Sequence, residues 1–128
     1  MRMTHREFFD ALRDLSPLRV ISPAGPSLFE AICDFPAYGI AEGNLNAITD
    51  AYHWHIALDR FRHVRSHDEV HARSGRRVLY FALRETATSD PFLLIYLYRG
   101  KREEFDGPRL ARFTLMHGTL GGGAEVSS

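Results

Sequence analysis

The residues with the clearest capacity for chemistry are His53-Trp54-His55, because alternate residues of an extended strand project from one face and would bring two imidazoles together. Such a pair suits a metal ion or a haem iron, and the alternative reading is a polar pair on the wet side of a sheet. His63, His67 and His71 repeat every fourth residue, but no apolar stripe accompanies them, so they read as a solvated strand end and loop rather than a helical ligand set. Six arginines (60, 62, 65, 73, 76 and 77) stand against only Asp68 and Glu69 in the segment between them, which favours an anionic ligand or an exposed, charge-solubilised hairpin. Arginine forks match carboxylates and phosphates, haem propionates and nucleotides among them. The five tyrosines add phenols able to hydrogen-bond or to ligate ferric iron, and most suit a sheet. Cys33 lies in an apolar run, as a buried thiol does.

Other chemistries have less support. No GxSxG, phosphate loop or dinucleotide fingerprint occurs, and no feature pairs the scattered carboxylates for acid–base work, so the reading assigns no catalytic residue. A metal enzyme built on His53 and His55 would need a third ligand that the sequence does not indicate. One cysteine excludes an intrachain disulfide and fits the reducing cytoplasm. Sixteen basic residues balance sixteen acidic ones, which does not suit a general nucleic-acid binder. The longest apolar run, 92–98, is too short to span a bilayer, and the first residues lack the apolar stretch of a secretory signal, so no membrane insertion is expected.

The elements that must position these groups follow from hydrophobic spacing. The length, 128 residues, suits one domain. Thr4 can cap a helix over 4–15, with Glu7 three residues later and Phe8, Phe9, Leu12 and Leu15 on one face. Leu18–Ile21 reads as a short strand, Ser22–Ser27 as a loop because of its two prolines, and Leu28–Phe35 as either helix or strand. From Asn44 the period becomes two, through Leu45 and Ala47 and again through Trp54, Ile56 and Leu58. Val78–Leu83 and Pro91–Tyr98 form an antiparallel hairpin around turn chemistry at 86–91, and the second strand is apolar on both faces, as a central strand or one at a dimer contact is. Asp106 caps a helix over 108–118, with Gly118 as its stop, and the glycine-rich end lacks the apolar surface to order itself. The expectation is an α+β fold, an antiparallel β-sheet with N- and C-terminal helices, in a single domain over 1–120 with a disordered tail over 121–128. Two short helices leave a broad sheet incompletely covered. A homodimer joined near the strands 78–83 and 92–98 is the expected remedy, the alternative being a monomer in which 28–35 and the first helix do the covering.

The second half resembles the haem-utilisation carriers of the ChuX/HutX type and the repeats of HemS-type haem-handling proteins. The resemblance rests on His55-Ile56-Ala57 opening a strand, on Val78-Leu-Tyr-Phe-Ala-Leu followed by Pro91-Phe-Leu-Leu-Ile-Tyr-Leu-Tyr-Arg99 in place of the family's strand pair ending in Leu-Gly-Arg, and on Arg109-Leu-Ala-Arg-Phe-Thr-Leu in place of its closing helix. It covers about residues 44–120. The resemblance implies a cytoplasmic haem-binding or haem-trafficking protein, paired as a homodimer. The family's candidate haem-ligating histidine belongs to the strand that Asn44–Ile48 matches, where this chain has none, so His53 and His55 are the candidate ligands, with Arg60 and Arg62 for the propionates. The alternative is a protein-interaction module that kept the carrier fold without haem.

Overall fold

The computed structural model describes residues 2–128. The chain runs β1 (Arg2–Thr4), α1 (His5–Arg13), β2 (Leu18–Ala24), β3 (Ser27–Cys33), β4 (Gly39–Ala41), β5 (Asn44–Ile48), β6 (His53–Ala57), β7 (His63–Val70), β8 (Arg77–Arg84), β9 (Leu93–Leu97), α2 (Gly107–Leu120) and β10 (Ala124–Ser127). Seven strands form one sheet in the order β1-β10-β7-β8-β9-β2-β3, and β4-β5-β6 form a second. Every pairing is antiparallel except β1 with β10. This is the expected α+β, antiparallel-rich architecture.

The local signals explain most of these elements. Thr4 accepts a hydrogen bond from the Glu7 backbone N–H while its own N–H donates to the Glu7 carboxylate, a complete capping box. Asp106 caps α2 through the Arg109 N–H, and Pro108 occupies the first turn, where its missing donor costs nothing. Gly118 does not stop this helix, which continues to Leu120 because Leu120 is buried in the core. In β9 the alternation places Leu93, Ile95 and Leu97 inward, and the strand is central, between β8 and β2.

Two expectations are corrected. Ser22–Ser27 is not an irregular loop but the tip of a β2–β3 hairpin, closed by the two residues Gly25 and Pro26. Gly25 takes φ +61°, and Pro26 is confined to negative φ, the pattern of a II′ turn. Pro23 is tolerated because it pairs with Leu28 next to the hydrogen-bonded pair Ala24/Ser27, so its missing N–H points away from β3, beyond the last β9 pairing at Ile21. The same hairpin settles Leu28–Phe35, whose first six residues are strand. The tail expected to be disordered from 121 instead forms β10, with Ala124 and Val126 buried. Its ordering comes from β1 on one side and β7 on the other, partners that the tail's own composition does not reveal.

Both helices and the small sheet cover one face of the large sheet. Phe81 of β8 meets Phe8 of α1 and Phe113 of α2 at ring-centroid distances of 5.4 and 5.3 Å. Arg109 of α2 donates to the carbonyls of Leu15, Pro17 and Tyr98, fastening α2 to the chain entering β2 and leaving β9. The opposite face carries His67, Tyr80 and Tyr96, stacked with successive centroids 4.6 Å apart, beside Ile21, Leu94 and the exposed Leu28 and Ile32.

Candidate functional site

β6 puts Trp54 and Ile56 toward the core and His53 and His55 on the outer side, as alternation requires. Trp54 packs edge-on against Phe35, 5.6 Å between centroids, which holds the strand in register with the core. The two imidazoles are neighbours, 6.1 Å apart and nearly perpendicular. They sit on the free edge strand of the small sheet, and the cleft they line also takes residues from β2 and β3.

Between these elements lies a cleft of about 690 Å³ lined by His53, His55 and Arg60 together with Val20, Phe29, Ala31, Trp54, Phe92 and Leu93. The volume and the apolar walls suit a small organic ligand of substantial size. Phe29 belongs to the core-facing side of β3, yet it is 69% exposed because no helix reaches that far along the strand. The cleft therefore has an unsatisfied apolar wall.

Asn46 distinguishes the two histidines. Asn46 pairs with His55 across the β5–β6 hairpin, and its Oδ1 lies 2.7 Å from His55 Nδ1. The Asn46 amide nitrogen donates to the Asn44 carbonyl, which directs the oxygen toward the ring. His55 must then donate through Nδ1–H, leaving the Nε2 lone pair free. That is the tautomer and orientation of a metal-ligating histidine whose other nitrogen is held by a neighbour. No such partner holds His53 among the described residues.

Two other potential iron donors line the cleft. Burial pushes the Cys33 thiol up, and burial followed by the neighbouring Cys33 pushes the Tyr52 phenol up to about 12. Both are protonated at neutral pH, and a thiol or phenol is a far weaker ligand than its anion. Among the described residues no three His, Cys, Asp or Glu side chains gather into a metal-binding group. The donor set therefore fits a metal that brings most of its coordination with it. Haem iron does so, since the porphyrin fills four positions and the protein supplies an axial histidine.

The structure brings three of the four sequence candidates together and separates one. Arg60 lines the cleft, with its guanidinium bound to Glu85 at 2.6 Å. Arg62 instead donates to the Asp59 carbonyl and lines a neighbouring cleft with His5 and His63. Sequence reasoning missed Asn46, Phe29 and Glu85. Asn46 was accessible in principle: Thr49 accepts from the N–H groups of Ala51 and Tyr52, and that turn sets the register placing Asn46 opposite His55.

No family model matches the chain, and no curated protein matches it. Solved structures do. A protein from Agrobacterium tumefaciens superposes with a TM-score of 0.74 at 19% identity, covering 89% of this chain and 65% of that one. A structure of ChuX gives 0.75 at 13% identity over 91% of this chain and 71% of that one. Another, described as the heme binding protein ChuX, gives 0.74 at 13% identity, with 91% and 72% covered. The chain has the ChuX-type fold, and it spans about two thirds of the length of these neighbours. No helix among the described residues is long and apolar enough to cross a membrane.

Proposed function

We propose that this protein binds haem as cargo in the cleft between β6 and the β2–β3 hairpin, with His55 as the axial ligand to iron, and serves haem trafficking rather than catalysis. The observation carrying this reading is the Asn46–His55 pair, in which Asn46 engages Nδ1 of a histidine that lines an apolar cleft of suitable size. The ChuX-type fold and the description of one neighbour as heme binding support it. Phe29, Phe92 and Leu93 would meet the apolar porphyrin, and His53, 6.1 Å from His55, would serve as a second imidazole near the iron. Arg60 would exchange Glu85 for a propionate, whereas Arg62 is engaged elsewhere. We assign the protein to the cytoplasm, in keeping with its single free cysteine.

Titration of hemin into the purified protein tests the reading. A saturable Soret shift at about one haem per protomer is expected, and it is lost in the His53→Ala, His55→Ala double variant. Absence of a saturable shift in the wild type would sink the proposal and leave the alternative, an interaction module that kept the fold.

We further propose a homodimer formed through the outer face of the large sheet. Both helices pack on the other side, so Tyr80, Tyr96, Ile21, Leu94, Leu28 (62% exposed) and Ile32 (54% exposed) share a broad face on which neither helix packs. A second copy offers the same face, and two-fold pairing of like surfaces is the commonest closed assembly. Light scattering after size exclusion should give twice 14.6 kDa, and a mass of 14.6 kDa at micromolar concentration would refute the dimer.

A further inference from the structure

The fold divides the arginine-rich segment between the two ends of the large sheet. Arg60 and Arg62 lie at the end that holds the histidine cleft, and Arg65 donates to the Gly121 carbonyl. Arg73, Arg76 and Arg77 lie about 25 Å away, the length of β8, in and beside the turn from β7. There they meet Arg99 and Lys101 from the segment that leaves β9. Arg76, Arg77, Arg99 and Lys101 line a cleft of about 610 Å³, with Phe105 and Leu110 as its apolar part and Glu103 and Glu104 as its only carboxylates.

The pairing of these cations is uneven. Arg77 is held by both oxygens of Asp68, at 2.9 and 2.6 Å. Arg76 and Arg99 are tethered to carbonyls instead: one nitrogen of Arg76 donates to Arg102 at 2.6 Å and one of Arg99 to Arg77 at 2.9 Å. The Arg99 guanidinium is also seated over the Phe105 ring, 4.3 Å from its centroid. Neither arginine, nor Lys101, makes an ion pair with a carboxylate among the described residues. Each tether fixes a guanidinium in place and leaves other N–H donors free. Burial first, and then repulsion from Arg76 and Arg77, hold the Arg99 guanidinium below its ordinary range, with Glu104 partly offsetting them. An anion in the cleft would relieve that repulsion.

We propose that the cleft formed by Arg76, Arg99 and Lys101 is a binding site for a phosphate group, carried by a small phosphate ester or present as free phosphate. Donors converging from two separate segments match an anion with more than one charge and several acceptor oxygens better than a single carboxylate. The cleft is bounded, and Glu103 and Glu104 share its lining, so a continuous polyphosphate backbone crossing it would meet like charges. The site is independent of the histidine cleft and does not rest on the haem reading.

Calorimetric titration of the full-length chain with inorganic phosphate and with phenyl phosphate, at constant ionic strength set by sodium chloride, tests the proposal. Saturable one-to-one binding of either is expected, and tighter binding of phenyl phosphate identifies an ester whose apolar part rests on Phe105 and Leu110. The Arg76→Gln, Arg99→Gln double variant should weaken it about tenfold or more. A charge-matched Arg6→Gln, Arg13→Gln variant on α1 should bind as wild type. Lys101→Gln, at an exposed position, should weaken binding even if loss of the Arg99–Phe105 stack unfolds the double variant. No saturable binding of either probe, or equal weakening in the α1 control, would overturn the site.

Discussion

Replacing Asn46 by Ala tests the assignment of His55 more sharply than removing the histidine itself. The substitution deletes the acceptor 2.7 Å from His55 Nδ1 and leaves the imidazole in place. Asn46 is half-buried on the outer side of the three-stranded sheet, so fold stability should change by less than about 0.5 kcal/mol. Ligand orientation should change more. Loss of a hydrogen bond that orients a metal-bound histidine costs about 10- to 100-fold in affinity, and the exposed setting of His55 places this case near tenfold, or about 1.4 kcal/mol. Hemin titration followed at the Soret band, with circular dichroism to confirm the fold, measures it. Asn46→Asp should restore affinity, because a carboxylate is the stronger acceptor, and His53→Ala should cost less than Asn46→Ala. If Asn46→Ala binds hemin as tightly as wild type while His55→Ala does not, the orienting role of Asn46 is refuted.

Glu85→Gln should tighten hemin binding at low salt by freeing Arg60 and should leave the uncharged porphyrin dimethyl ester unaffected; equal effects on both would remove the propionate role of Arg60. Phe81→Ala should destabilise the fold by about 3–5 kcal/mol in urea titrations, since this buried ring is shared by α1 and α2. Stability should also fall on acidification. Burial, with Arg84 and Arg65 nearby, holds His63 and His67 below their ordinary 6.5, and Glu69 only partly offsets this at His67. The unfolded chain therefore takes up protons first as the pH drops through 6.5, and the loss levels off once the folded histidines also protonate. Urea midpoints from pH 7.5 to about 5 should show this decline, and His67→Asn should flatten it; a pH-independent wild type would contradict the reasoning.

Much of the chain was legible in one dimension because the controlling interactions are local. The Thr4–Glu7 box, the Asp106 cap and the two-residue period of β5, β6, β8 and β9 each lie within one short stretch of sequence. The same period placed His53 and His55 on one side of β6, with Trp54 turned inward. What the sequence did not display depended on partners distant along the chain. β10 is ordered by β1 and β7, although its own composition suggests a free tail. Pro23 sits in a strand because the β9 pairing ends just before it. The histidine cleft exists because β3 extends past the helices that cover its neighbours, a matter of relative element lengths in space. Local spacing determines which residues form an element and which way each points. Only the tertiary structure decided that Asn46 holds His55, that Glu85 occupies Arg60, and that one arginine-rich run serves two opposite ends of a sheet, because those outcomes depend on register and on pairings between distant segments.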